Sequence, residues 1–353
     1  MARRPETPSP LKTGHLLRQL KELHFVGRGQ EMSLLQDFAG AEGSAPPFFY
    51  LQGLPGIGKS ALLDALRRWM ETQPATYAYV DGRRLDTKTP EELLQHMAQA
   101  LGLRHARPDL QAILSHLQAL SRKKPAMLVI DSYDDLLPLD NWLREKFLAQ
   151  LSLKVKVILA GRRPLPSPWT HSAGWRLLVK HHTLGPLQRE EVAELLLRLQ
   201  VKEDNPRLWW QHSHGHPLTL HLMIFAHLEG RLPDPARGLY DSRITLGLLE
   251  NFWRDPISPR TKELLLAASW PFAFDRSLLE TILEEPVSVD EFHELVQCPI
   301  VQREGKAWTL AEPFHTALRS YFLHHDPEKA HGCRKRLLEM EKRRVMEKAL
   351  HED

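Results

Sequence analysis

The sequence is poor in cysteine. Cys298 and Cys333 are the only two in 353 residues, so one disulfide is the most it can form, and a reducing, cytoplasmic setting is expected. No apolar run approaches the roughly 18 residues of a membrane-spanning helix, so no transmembrane segment is expected. No apolar segment follows the N-terminal Met-Ala-Arg-Arg-Pro-Glu, and a secretory signal is not expected. Neither sign of charge dominates. Lys plus Arg number 47 against 44 Asp plus Glu, leaving +3, which does not by itself call for nucleic acid. There is no repeat of fixed period, which excludes a solenoid. What is present is 42% apolar and 26% charged residues, the profile of a globular protein. The chain is too long for one compact core and should divide into two or three domains.

Periodicity gives the organisation. Residues 1 to about 14 are polar, basic and proline-bearing, a loose tail, followed by a short amphipathic helix at Leu16–Leu23. Apolar runs at Phe48–Leu51, Tyr77–Val80, Ala126–Ile130, Val155–Ala160 and about Trp175–Lys180 read as strands. They alternate with helical patterns at Gln30–Phe38, Ser60–Met70, Pro90–Leu101 and Asp109–Leu120. That alternation predicts a parallel sheet covered on both faces. After Pro186 only helices are expected, at Glu190–Leu199, Pro206–Gln211 and Pro217–Leu228, and Gly230–Gly238 reads as a linker. Further helices at Thr261–Ala268, Arg276–Leu283, Ser288–Leu295 and Phe314–Leu323 enclose an extended pair at Ile300–Gln302 and Trp308–Leu310. Helices followed by a small hairpin have the shape of a winged-helix domain.

Gly53-Leu54-Pro55-Gly56-Ile57-Gly58-Lys59-Ser60 fits G-x-x-x-x-G-K-[ST] in full, with an apolar strand before it and a helical pattern, beginning with Ala61, after it. Glycines let the backbone curl so that successive N–H groups point at phosphate oxygens, and the helix dipole adds positive potential. Lys59 is the expected contact to the β- and γ-phosphates, and the Ser60 hydroxyl the expected Mg²⁺ ligand. A magnesium shell wants an acid nearby. Met127-Leu128-Val129-Ile130-Asp131 is an apolar strand ending in a carboxylate, which marks Asp131 as the second metal-shell residue. Hydrolysis also wants a carboxylate that orients water. Ser132 stands directly after Asp131, so Asp134, with Asp135 beside it, is the candidate base. Val157-Ile158-Leu159-Ala160-Gly161 ends in Arg162-Arg163. Arg162 is thereby placed where ligands bind in open α/β sheets, as a cation facing the γ-phosphate.

In this order the motifs resemble the STAND class of signalling NTPases, a branch of AAA+-like P-loop ATPases, over about residues 24–325. Phe25-Val26-Gly27-Arg28 is similar to the segment in which that family sets a valine backbone and an arginine against adenosine. Ile130-Asp131-Ser132-Tyr133-Asp134 resembles its Walker B motif, and Gly161-Arg162 its sensor arginine. His214-Gly215-His216-Pro217-Leu218 resembles its G-x-P motif, which implies that Pro217 packs on adenine.

The resemblance implies an ASCE-type α/β P-loop NTPase domain followed by a helical subdomain and a winged-helix domain. The divisions expected are 1–22 for the basic tail and short helix, 23–187 for the NTPase domain and 188–238 for the helical subdomain. The winged-helix-like domain takes 239–326 and a charged C-terminal helix 327–353. It implies a switch: ADP holds the domains closed, exchange for ATP opens them, and protein partners or further copies of the chain associate. The family's sensor domain would follow the winged helix, where this sequence ends at Asp353; either another chain supplies it or the protein is a reduced member. The family's winged-helix histidine, which reaches the β-phosphate of ADP, aligns with Ala311, and its aspartate with Glu312. A weak latch is expected, with His315 one helical turn away as a substitute.

His212, His214 and His216, and the group from His324 to Cys333, lack paired zinc spacing and read as polar histidines. Trp209-Trp210 reads as helix packing. Arg334–Lys348 reads as a solvated amphipathic helix with a partner-binding face as the sharper alternative. Two other functions remain open: a scaffold that binds nucleotide without hydrolysis, favoured by Ser132, and a DNA-binding regulator. Ser288–Leu295, the candidate recognition helix, is acidic, which opposes the last.

Overall fold

A computed structural model of the chain describes residues 13–41, 45–104, 108–201, 205–230, 242–254 and 257–351. The tail up to residue 12 and most of the expected linker, 231–238, lie outside the described residues. Helices α1 (Thr13–Leu23) and α2 (Gly29–Gly40) precede strand β1 (Phe48–Gln52), which feeds the glycine loop and α3 (Lys59–Glu71). Next come β2 (Thr76–Asp81), α4 (Pro90–Ala100), α5 (Leu110–Lys123) and β3 (Ala126–Asp131). Thr89 and Asp109 start α4 and α5 by accepting the N–H groups of Glu92 and Ala112. From Tyr133 to Gln150 the chain makes tight, irregular helical turns around the short α6 (Asp140–Trp142) before β4 (Val155–Gly161).

The five strands form one parallel sheet in the order β2-β3-β4-β1-β5, with β5 at Val179–Thr183. Every residue of β3 and β4 is buried, as expected of interior strands covered on both faces. One face packs on Leu93, Met97, Ile113 and Leu117 of α4 and α5. The other packs on Leu35, Phe38, Leu62 and Leu66 of α2 and α3. Because β4 lies between β1 and β3, its carboxyl end sits between the glycine loop and Asp131.

One expected strand is corrected. Residues Trp175–Leu178 belong to helix α8 (Ala173–Leu178), which follows α7 (Ser167–His171), and the strand begins only at Val179. Trp175 faces Phe48 at 5.8 Å and Trp169 at 5.2 Å between ring centroids, so tertiary packing overrides the local β preference.

Helices α9 (Arg189–Arg198), α10 (Pro206–Ser213) and α11 (Pro217–Leu228) follow, and Leu195, Trp209 and Leu220 centre their shared core. The remaining elements gather around Leu248, Leu264, Ile282, Leu295 and Phe314. They are α12 (Ser242–Phe252), α13 (Pro259–Ala268), α14 (Arg276–Leu283), α15 (Val289–Val296), the hairpin β6 (Val301–Glu304) and β7 (Ala307–Leu310), α16 (Phe314–His325) and α17 (Pro327–His351). Phe274 pairs with Trp308 through two backbone hydrogen bonds and lays a third extended segment beside the hairpin. Helix α12 has no counterpart among the expected elements. Among the described residues no helix is long and apolar enough to cross a membrane.

Candidate nucleotide-binding site

The loop from Gly53 to Gly58 turns over the carboxyl end of β1, where Gly56 and Gly58 adopt positive φ of 78° and 102°. Gly56 needs that freedom twice over. A Cβ there would stand 2.8 Å from the Leu218 Cβ and 2.9 Å from the His216 ring, so the helical unit could not approach. The Lys59 ammonium folds back over the loop, donating to the carbonyls of Gly53 at 2.7 Å and Leu54 at 3.1 Å. The Ser60 hydroxyl donates to Asp131 Oδ2 at 2.6 Å, and the Tyr79 hydroxyl donates to the same oxygen at 2.7 Å. Asp131 Oδ1 accepts the Ser132 N–H at 2.7 Å. A buried carboxylate is thus held by three donors with a hydroxyl against it. An all-oxygen pair of this kind suits a hard divalent cation, and the ring of loop amides suits phosphate.

These groups open onto a cleft of about 340 Å³. Gly56, Gly58, Lys59, Ser60, Ala61, Asp131, Asp134 and Arg162 line it from the NTPase side. Pro217 lines it from α11, opposite. Gly53, Pro55 and Ile57 stand behind the wall: Gly53 donates to the Gly161 carbonyl at 3.2 Å and the Ile57 side chain is buried in the core against α3.

Val26 and Arg28 are not part of the lining. Val26 is buried among Leu187, Val192 and Leu195 of the helical unit. Arg28 is 5% exposed, donating to the Ile57 carbonyl at 3.1 Å and pairing with Glu31 at 3.1 Å, so its guanidinium braces the loop from outside. Glu191 of α9 accepts the Arg28 N–H at 2.9 Å and so ties this segment to the helical unit.

Asp134 lines the cleft with both carboxylate oxygens engaged. Oδ2 accepts the Arg162 N–H at 2.6 Å and Oδ1 the Arg163 N–H at 3.0 Å. Burial pushes this carboxyl above the usual carboxylate range despite those two bonds. It therefore holds the turn that carries Arg162.

Three lining residues, Arg83, His221 and Asn251, lie outside every motif read from the sequence. Arg83 stands just past β2, gripped by Asp81 at 2.8 Å, and that hydrogen-bonded pairing raises its already high pKa. Its signal was available: Asp81 and Asp131 are partners in register, so the end of β2 faces the same ligand edge as Arg162. Leu218 and His221 lie one and four residues past Pro217 on α11. Asn251 comes from α12, in the C-terminal region, and no local pattern marks it.

The segment aligned with the histidine latch lies elsewhere. Ala311 is buried and donates to the Ile300 carbonyl at 2.8 Å. His315 meets Glu312 at 3.0 Å, the Pro271 carbonyl at 3.3 Å and Arg319 at 3.0 Å. None of the residues lining the cleft comes from Trp308 to His315.

Residues 42–167 match the family model of the AAA domain. No curated protein matches the chain. Among solved structures it is similar to a STAND protein with a tetratricopeptide repeat sensor from Pyrococcus horikoshii, at 18% identity and TM-score 0.36, covering 90% of this chain. The match spans 45% of the length of that protein. It is also similar to Cdc6p from Pyrobaculum aerophilum, at 16% identity and TM-score 0.44, covering 86% of this chain and 98% of that one. A third likeness is to Drosophila ORC bound to DNA, at 16% identity and TM-score 0.43, covering 90% and 100%. The matched segment, its complete phosphate loop and the parallel sheet behind it identify the chain as carrying a P-loop NTPase domain of the AAA+-like type.

Proposed function

We propose that the chain is a switch that binds ADP and ATP with Mg²⁺, hydrolyses ATP slowly and couples exchange to separation of its C-terminal region from the NTPase domain. Its partners in the open state would be another protein or further copies of itself. The observation that carries this reading is the make-up of the cleft: the phosphate loop, Pro217 of α11 and Asn251 of α12 line one cavity. A ligand filling it touches three parts of the chain at once, so its phosphates bias how they pack. Lys59 would hold the β- and γ-phosphates, Ser60 and Asp131 the magnesium, and Pro217 the adenine. Bound magnesium would supply charge neutralisation at the phosphates. Arg162, on the turn held by Asp134, would face the γ-phosphate.

A second reading, binding without hydrolysis, draws on Asp134, whose oxygens are both occupied by backbone N–H groups. Phosphate release under multiple-turnover conditions separates the two. Light scattering after size exclusion, in ADP and in a non-hydrolysable ATP analogue, tests the switch. A mass that changes with the nucleotide supports it; equal mass and equal hydrodynamic radius in both overturn it.

A further inference from the structure

At the opposite edge of the sheet from the phosphate loop lies a second pocket, of about 510 Å³. It is bounded by the end of α2, the end of α5 and the turn that enters β4. Five of its lining residues are cations: Arg122, Lys123, Lys124, Lys154 and Lys156. No carboxylate lines it, and among the described residues none of the five makes an ion pair.

Helix chemistry explains only part of this. Arg122 and Lys123 occupy the last turn of α5, where cations favour the negative end of the helix. Lys156 has no such reason to be there. It sits on the interior strand β4, in register with Met127, and is 5% exposed. Its ammonium stands 5.6 Å from the centre of the Phe38 ring, with no hydrogen-bond acceptor among the described residues. Burial without an anion holds this ammonium below its ordinary pKa, so an incoming anion recovers lost stabilisation. Like charges converging on a concave wall concentrate a field that only an anion relieves.

We propose that this pocket binds a small anion carrying two or more phosphate groups, with Lys156 as the buried anchor and Arg122, Lys123, Lys124 and Lys154 as the rim. The volume suits a small molecule. Several phosphates, and not one, match five cations spread over two segments, 122–124 and 154–156. The site is separate from the nucleotide cleft and does not depend on what that cleft does.

The test is calorimetric titration of the full chain carrying Lys59→Ala, which removes the phosphate-loop lysine from competition. Tripolyphosphate and inositol hexakisphosphate are the probes. Binding that weakens as salt rises, and that Lys156→Met lowers about tenfold or more, is expected. The double change Arg122→Gln with Lys154→Gln involves exposed side chains only and should lower affinity severalfold by itself. Absence of binding by either probe overturns the proposal, as does affinity unchanged in both variants. Tighter, Lys156-dependent binding of a single-stranded oligonucleotide than of inositol hexakisphosphate also overturns it, making nucleic acid the ligand.

Discussion

His216 Nε2 lies 2.8 Å from the carbonyl oxygen of Pro55, joining the first residue before α11 to the phosphate loop. The other ring nitrogen accepts the Thr219 N–H at 3.4 Å, so Nε2 carries the proton and donates to Pro55. Phe314 of α16 meets the same ring edge-to-face at 5.6 Å. One imidazole thus touches the loop, the helical unit and the C-terminal region.

That ring is neutral for a physical reason. Burial, together with the charges of Lys59 and Arg28, lowers its pKa from 6.5 to about 4. The unfolded chain therefore binds more protons between those values, and stability is complete above pH 6.5 and lost as pH falls towards 4. The loss should reach about 3 kcal/mol. Urea unfolding of the wild type and His216→Gln at stepped pH checks this, because the variant should lose that section of the slope. Parallel curves would place the titrating group elsewhere.

Lys59→Ala should weaken ADP and ATP at least tenfold, since charge-assisted contacts contribute about 1.5–3 kcal/mol each. Calorimetry reads this directly. Unchanged affinity would remove the phosphate loop from nucleotide binding.

Asp134→Asn should destabilise the fold by about 1–3 kcal/mol as well as slow turnover. An amide offers one acceptor where two backbone N–H groups now bond, leaving a buried donor unmet. Denaturant midpoints and phosphate release are measured together. Slower turnover at full stability would favour a water-orienting base over a positioning carboxylate.

Asn251→Ala should lower ADP affinity about fivefold through loss of one hydrogen bond, and Asn251→Asp should lower it further through repulsion of the phosphates. Titration with ADP and a non-hydrolysable ATP analogue decides it. Equal affinities across all three proteins would mean that α12 leaves the cleft when nucleotide enters.

Legibility followed the range of the interactions. The phosphate loop and the strand before Asp131 were readable because a contiguous pattern encodes both. Arg83 was readable in principle by the rule that selected Arg162, yet it needed the pairing of β2 with β3, which only the sheet order supplies. Asn251 was not readable at all. Its place depends on α12 packing through Leu248 and Phe252. Val26 and Arg28 show the reverse: a motif found at the right place, with one side chain buried in a helical core and the other bonded to the loop's outer carbonyl. Trp175 fell to aromatic packing that no window of neighbouring residues contains.

Helix α17 spans 25 residues, about 37 Å at the usual rise, and among its described side chains the buried anchors Ala330, Cys333 and Leu337 lie in the first half. Met340, just past the middle, still packs on the same core. A rotation of the C-terminal region by about 15°, the size of a known subunit rotation, would carry the far end some 5 Å sideways. A small turn at the anchored half would thereby arrive at the tip magnified, as a pointer needle magnifies the turn of its pivot.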